Sequence, residues 1–455
     1  MARQLNQMQD WARETRITHG RVTVLAALMA LVMMGLLYRY FSLQVIQNEE
    51  FRAQSDRNRI AVRTVSPTRG VIVDRSGNLL AINQPSFTLA ITPERADDLG
   101  NVLTTLSDLL SLTETDIELF TQARKRRRPL SPVPLKYRLT DEELAVIAVN
   151  KHVLSGVSVL SELTRHYPEG DLLGHALGYV GRIGIDDVDE SEKEAYRGIS
   201  HIGKVGLEAY YEDVLKGGLG VSRLETNARG VELDVIDRIE PVPGAELTLH
   251  LDVELQRVAA SAMGDMRGAV VALDPRTGGV LSAVSSPRYD PNKFVNGISF
   301  SDYAELRDSR DAPLLNRVIQ GQYPPASTIK PMLGLAGLNR DVITIDTMIP
   351  DPGYYQLPGD PRRYRDWILR IRGTGHADEM SLRDSIAQSC DVFFYELANR
   401  LGIEALAESL DEFGIGSLTG IDLPSEKPGI LPSSDWKRRV IGSSWYGGET
   451  LIVGI

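Results

Sequence analysis

Two serine–lysine pairs at a spacing of three carry chemistry that can be read from residue type and position alone: Ser327 with Lys330, and Ser434 with Lys437. On a helix that spacing puts hydroxyl and amine on one face, within one turn. The chemistry is nucleophilic, a serine oxygen made reactive by a nearby amine that takes its proton. A chain of average composition carries roughly one or two such matches by chance, so spacing does not choose between them. Local sequence does. Ser327 lies in YPPASTIKP, residues 323–331. Tyr323-Pro324-Pro325 is incompatible with helix, which puts a helix start at about Ala326. Pro331 is tolerated only in a first turn. Ser327 is therefore expected at a helix N-terminus, where the positive end of the dipole favours an incipient alkoxide. Met332–Leu338 continues as an apolar, buried helix. A desolvated lysine beside cationic or dipolar groups is a usable base, which casts Lys330 as the general base. Ser434–Lys437 lies in a polar stretch with Trp436, where nothing fixes a helix start or buries the lysine.

A second cluster is Ser389-Cys390-Asp391. Helical patterns run through Leu382–Gln388 and Val392–Leu401, so the tripeptide is expected at a helix–helix junction facing a cleft. A hydroxyl and a carboxylate there can relay a proton and hold a substrate amide. The plainer alternative is a helix cap, with Ser389 or Asp391 bonding the first turn of the second helix.

The elements that must position these groups belong to an α+β chain of 455 residues, long enough for two or three domains. Net charge is −11, which argues against a nucleic-acid partner, because phosphate binding needs a basic surface. The one cysteine, Cys390, leaves no intramolecular disulfide. Val22–Phe41 is apolar over about the length of a membrane-spanning helix, with Arg39 near its end and Tyr38, Tyr40 and Phe41 as an interfacial belt. A cleaved signal peptide is the alternative, but no small-residue cleavage site follows. Arg3, Arg13, Arg16 and Arg21 against Asp10 and Glu14 put the N-terminus in the cytoplasm and the bulk outside. Residues 42–60 read as a stalk. Val71–Val73 and Phe87–Ile91 flank the turn Arg75–Asn78, a hairpin signal. Lys125–Arg128 is a charge run with no function assigned. Gly206–Leu215 is helical, Asp252 is a helix N-cap, and Gly268–Ser286 reads as two strands around Asp274–Gly278. The expected organisation is a cytoplasmic tail (1–21), a transmembrane helix (22–41), an elongated β-rich pedestal (42–244) and a catalytic domain (245–455).

YPPASTIKP followed 62 residues after its serine by Ser-x-Asp resembles the penicillin-recognising serine transferases, whose first two motifs are Ser-x-x-Lys and Ser-x-Asn. RGVIVDRSGNLLA (69–81) and GKVGLEAYYEDVLKG (203–217) resemble the non-catalytic module of class B penicillin-binding proteins. LTLHLDVELQ (247–256), GAVVALDPRTGGVLSAVSSPRYDPN (268–292) and LNRVIQGQYPPAST (315–328) are similar to the entry of their β-lactamase-like transpeptidase domain. GHALGYVGRI (174–183), DPGYYQLPG (351–359), YRDW (364–367) and Asp391 resemble the elongation type. This resemblance implies a peptidoglycan D,D-transpeptidase of the bacterial inner membrane. Ser327 would attack the penultimate D-Ala carbonyl of a stem peptide, with Lys330 as base, Ser389 as proton shuttle and Asp391 positioning substrate. β-Lactams would acylate the same serine. Partners implied are a SEDS-family glycan polymerase and other elongation-complex proteins. The family's third motif, Lys-Ser/Thr-Gly, does not occur after Ser389, and the expectation is a C-terminally truncated sequence.

Asp351, Asp366, His376 and Cys390 are zinc-compatible ligand types, and some elongation-type relatives are similar here and carry zinc beside the active site. Their spacings of 15, 10 and 14 residues are too wide to be diagnostic. One structural Zn2+ on all four and an inert buried cysteine with a surface histidine both fit. Rival functional classes are a non-catalytic scaffold of the wall-synthesis complex, a β-lactam sensor, which would lack the pedestal motifs, and a β-lactamase, which would need a deacylating glutamate with no clear candidate here.

Overall fold

The structure is a computed structural model and describes residues 2–47, 60–126, 130–184, 187–226 and 232–455. It divides into two compact units. The first combines 1–67, 193–198 and 218–242. Its N-terminal helix runs Ala2–Phe41 and closes with a π-helical turn, Ser42–Ile46. Ile17–Ile46 is long and apolar enough to cross a membrane, with a mean hydropathy of 2.0 in its best window and no burial against protein. The span expected at 22–41 lies inside it. Of the stalk expected over 42–60, residues 48–59 lie outside those described. The remainder is an antiparallel sheet in the order Ile60–Val65, Gly220–Thr226, Glu232–Ile239.

The second unit holds 68–192, 199–217 and 243–455. A hairpin forms at the expected turn with a different second arm: Ile72–Val73 pairs with Leu79–Ala81 at the start of Leu79–Ile91, while Phe87–Ile91, the arm expected from the sequence, pairs with Val133–Lys136 and Val157–Ser161. The hairpin turn is closed by the buried Asp74 carboxylate, which accepts from the N–H groups of Ser76 and Asn78 and from the Asn78 side chain. The rest of the Leu79–Ile91 strand, Ile82–Ile91, pairs with Val157–His166. Helices Leu99–Leu110 and Asp141–Val149 cover Leu89 and Ile91. Of the charge run, Lys125 sits near the end of the Glu114–Arg126 helix, and residues 127–128 lie outside those described. Two arginines converge on one buried carboxylate. Arg69 Nε and Arg165 Nε donate to Glu208 at 2.7 and 2.6 Å, and Arg69 also reaches Glu212 at 2.7 Å. Buried charges paired with opposite sign are costly to break on one side only.

Leu247–Thr248 adds to the same sheet, parallel to Ile72–Val73. The segment just past residue 245 therefore completes a sheet begun near residue 72. Asp252 caps helix Val253–Met263, as expected, by accepting from Leu255 N–H. Gln256 on that helix is fully buried, and its amide bonds both Ser282 and Ala283 of the hairpin Gly268–Leu273/Val280–Ser286.

The remaining core is helical. Lys330–Asn339 packs on Asp391–Glu412 through Leu333, Phe393, Phe394 and Leu397. The approach is close: a Cβ on Gly337 would lie 2.7 Å from Leu397 Cδ1. Leu382–Ala387 leads into the second of these helices. Two short antiparallel pairs, Met348–Pro350 with Glu379–Ser381 and Tyr354–Tyr355 with Tyr364–Arg365, hold the intervening loop against it.

Candidate active site

A 3-10 turn, Ala326–Ile329, begins where Tyr323-Pro324-Pro325 requires and runs into Lys330–Asn339. Ser327 and Lys330 thus share the opening turn of a helix, as the sequence predicts. Pro325, at the cap position, makes no side-chain cap bond to that start. Lys330 is 1% exposed. Its Nζ donates to three acceptors: Asp391 Oδ1 at 2.6 Å, Ser389 O at 3.0 Å and Ser389 Oγ at 3.2 Å. The Phe394 ring lies 5.4 Å below it. The environment expected for this lysine is corrected in one respect: its charged neighbour is a carboxylate, supplied by a tertiary contact 61 residues away, where cationic or dipolar neighbours were expected.

Ser389 Oγ lies 2.8 Å from Ser327 Oγ. The nucleophile candidate, the second serine, the lysine and the aspartate therefore form one bonded line. Lys330 donates to Ser389 Oγ and Ser389 Oγ to Ser327 Oγ; hydroxyl protons rotate to suit their partners, so with Lys330 as the neutral amine the same line can carry a proton from Ser327 through Ser389 to its nitrogen. Burial pushes the Asp391 carboxyl up, opposed by the bond from Lys330. The alternative role for this tripeptide, a helix cap, is not what the structure shows. Cys390 occupies the cap position without a side-chain cap bond, and Asp391 is the first helical residue.

Ser389 has φ 57, a left-handed conformation that a non-glycine residue adopts at a cost of roughly 1–2 kcal/mol. Its neighbours hold it there. Cys390 N–H donates to Ser385 O at 2.9 Å, and Asp366 Oδ2 accepts from Asp391 N–H at 2.7 Å and Val392 N–H at 3.3 Å. On the other side of the turn, Trp367 Nε1 donates to Ser389 O at 3.1 Å. Sequence reasoning used Trp367 only as part of a likeness. Its contact with Ser389 spans 22 residues and leaves no local signature.

The four metal-ligand candidates come together. One ligand atom from each of Asp351, Asp366, His376 and Cys390 lies within 4.8 Å of the others. The two short strand pairs explain how wide spacings close up: one carries Asp351 towards residues 376–379, the other carries Asp366 beside Gly353. Asp351 Oδ2 accepts from His376 N–H at 2.6 Å and from Cys390 Sγ at 3.6 Å. His376 Nε2 lies 3.2 Å from Asp366 Oδ1. Cys390, Asp351 and Asp366 are buried, and no lysine or arginine among the described residues pairs with either carboxylate. Burial, and next the two carboxylates, push the Cys390 thiol up to about 12. Buried carboxylates with a thiol and an imidazole, at tetrahedral-scale separations and with no counter-charge, fit a bound divalent cation.

The second Ser-x-x-Lys requires a correction. Ser433 caps a helix over Ser434–Val440 by accepting from Trp436 N–H at 3.1 Å, so a helix start is fixed there. Lys437 is also buried, at 7% exposure. Its partners differ: Glu449 at 2.5 and 2.6 Å, and the ring faces of Tyr446 and Trp445 at 4.7 and 5.8 Å. These contacts come from residues that follow Lys437 and fold back over it.

Comparison with known proteins agrees with this geometry. The family model described as the penicillin-binding protein dimerisation domain matches residues 64–249, and the penicillin-binding protein transpeptidase domain matches 268–454. The chain belongs to the penicillin-binding protein family. It is 41% identical over 448 residues to the peptidoglycan D,D-transpeptidase MrdA of Acinetobacter baumannii, covering 98% of this chain and 66% of that protein. It is 39% identical over 455 residues to the MrdA of Escherichia coli K12, covering 99% and 71%. Among solved structures, the complex between penicillin-binding protein 2 and MreC from Helicobacter pylori is similar at a TM-score of 0.76 and 30% identity, covering 87% of this chain and 73% of that one. The chain thus spans about two thirds of the length of the curated relatives it matches. The two-domain fold, a dimerisation module followed by a transpeptidase module, is that of penicillin-binding proteins.

Proposed function

We propose that this chain crosslinks peptidoglycan stem peptides as a serine D,D-transpeptidase of cell elongation, and that β-lactams acylate the same serine. The observation that carries the reading is the bonded line from Ser327 Oγ through Ser389 Oγ to Lys330 Nζ and Asp391. Ser327 Oγ attacks the penultimate D-Ala carbonyl, and the bond to the terminal D-Ala nitrogen breaks. The serine proton passes along the line and leaves on the D-Ala amine. The amine of a second strand then attacks the ester, its proton returns to Ser327, and the crosslink is an amide. Acid–base help of this kind is typically worth about 10²–10⁴ in rate. Ser327 lies in the opening turn of the helix, so the positive end of the dipole is beside the oxygen where charge develops. A fluorescent penicillin should label the full-length protein covalently, and Ser327→Ala should abolish the label. Label that persists in that variant would falsify the assignment. A scaffold role is favoured instead if Ser327→Ala loses label yet still supports normal crosslinking in cells.

The reading extends to one structural Zn2+ held by Asp351, Asp366, His376 and Cys390, supported by the convergence of their ligand atoms. Four protein ligands leave no open position, so the ion would fix the loop that carries Asp366 and Trp367 and supply no catalytic chemistry. Metal analysis of the purified ectodomain tests this; zinc well below one equivalent with a reduced Cys390 rules it out.

The apolar helix supports a single-pass anchor in the bacterial inner membrane, with the arginine-rich tail cytoplasmic and the rest periplasmic. Protease added to spheroplasts should digest all but the N-terminal segment. A MreC-type protein is a partner of the relative from Helicobacter pylori, and with a SEDS-family glycan polymerase it is the partner class proposed here. Co-purification from membranes checks both.

A further inference from the structure

We infer that Trp367 is a positioning residue for the Ser389 hydroxyl, and that it mechanically ties that hydroxyl to the Asp351–Asp366–His376–Cys390 cluster. The inference rests on the transpeptidase reading of Ser327. Ser389 sits in a left-handed turn that its own side chain does not favour, so the direction of its Oγ depends on what holds its peptide groups. Its carbonyl accepts two bonds, from Lys330 Nζ at 3.0 Å and from Trp367 Nε1 at 3.1 Å. Lys330 is a poor sole anchor. It also bonds Ser389 Oγ and Asp391, and since only its neutral amine, with two protons, can accept a proton, it must change that set of three bonds during the reaction. An indole N–H does not titrate. It keeps the Ser389 carbonyl in place through the proton transfer.

Trp367 is itself fixed from the cluster side. It follows Asp366, whose Oδ2 takes the N–H groups of Asp391 and Val392. Its ring meets His376 edge to face, with centroids 5.6 Å apart. Adjacent residues 366 and 367 thus grip the Ser389–Asp391 turn on both sides, one through a carboxylate and one through an indole. A tryptophan held only by packing would be mostly covered. Trp367 is 46% exposed, while its N–H is directed at a backbone carbonyl of the candidate active site.

Trp367→Phe keeps an aromatic ring over His376 and removes the N–H. In the full-length protein, stopped-flow acylation by a chromogenic cephalosporin should show the first-order acylation step slowed roughly three- to tenfold, the worth of one neutral hydrogen bond. The dissociation constant of the preceding non-covalent complex should stay unchanged, and so should the melting temperature. The decisive comparison is a double-mutant cycle. In a Ser389→Ala background the change to Phe should have no further effect, because the group that Trp367 positions is gone. An acylation step equally fast in Trp367→Phe overturns the inference, as does a loss that persists in full without the Ser389 hydroxyl. If the parent protein is not acylated at all, the transpeptidase reading fails instead.

Discussion

Ser327–Lys330 and Ser434–Lys437 are alike in all that short-range order can supply. Each serine opens a helix, each lysine lies one turn on, and each lysine is buried against a carboxylate and aromatic rings. They differ in two respects. Lys330 also reaches a second serine whose oxygen touches the first, whereas Lys437 spends two short bonds on one glutamate. The helix at Ser434 has one orphan N–H, that of Trp436, served by Ser433, whereas Pro325 at the cap position before Ser327 makes no side-chain cap bond. A start without a side-chain cap leaves the positive end of the helix free to face an incoming oxyanion.

Replacing the lysines should separate the pairs most sharply. Lys330→Ala should slow acylation of Ser327 by roughly 10²–10⁴. Lys437→Ala should leave that rate within twofold of the parent, and destabilise the fold by about 1–2 kcal/mol, the screened ion pair together with the two cation–π contacts. Stopped-flow acylation and thermal melts on the same preparations read both. Comparable slowing by both substitutions would erase the distinction.

The next effect concerns what supports each site from behind. The Ser389 turn rests on the Asp351–Asp366–His376–Cys390 cluster, and among the described residues Ser434 has nothing of the kind. Exposure to a strong chelator should lower the melting temperature by several degrees and open Cys390, which is fully buried, to a thiol reagent. Returning Zn2+ should reverse both changes. An unreactive thiol after complete chelation would mean that the cluster holds together without an ion.

A smaller difference lies in the caps. Ser433→Ala should cost about 1 kcal/mol of stability and leave acylation untouched. A measurable change in acylation would tie the Ser434 helix to the active site.

How far these differences could be read in advance depends on what creates them. The helix start at Ser327 was legible because two prolines forbid anything else. The Gly268–Ser286 hairpin, the Asp252 cap and the apolar N-terminal helix were legible for the same local reason. Burial of Lys437 was not, because it is made by Tyr446 and Glu449 folding back over it. The four cluster residues were legible by type but not by spacing, since two short strand pairs close gaps of 15, 10 and 14 residues. The indole bond from Trp367 to Ser389 carried no sequence signal, because it depends on how the loop lies across the turn.

The smallest effect is in pH. The hydrogen bonds from Lys437 and then from the Tyr446 N–H hold the Glu449 carboxyl below the usual carboxylate range. A carboxyl whose folded value is depressed adds stability above its unfolded value, about 4.3. That stability is lost as pH falls through the folded value, because the unfolded chain takes up the proton first. Glu449 is 39% exposed on its side chain, so water and salt screen the pair and keep its worth under about 1 kcal/mol. Glu449→Gln isolates the term. Parent minus variant stability, from melts between pH 6 and pH 3, should be positive and constant at the upper end and shrink below about pH 4.3. A difference flat to pH 3 would mean that the Lys437–Glu449 contact adds no charge-dependent stability, leaving the buried lysine held by the aromatic faces of Tyr446 and Trp445 alone.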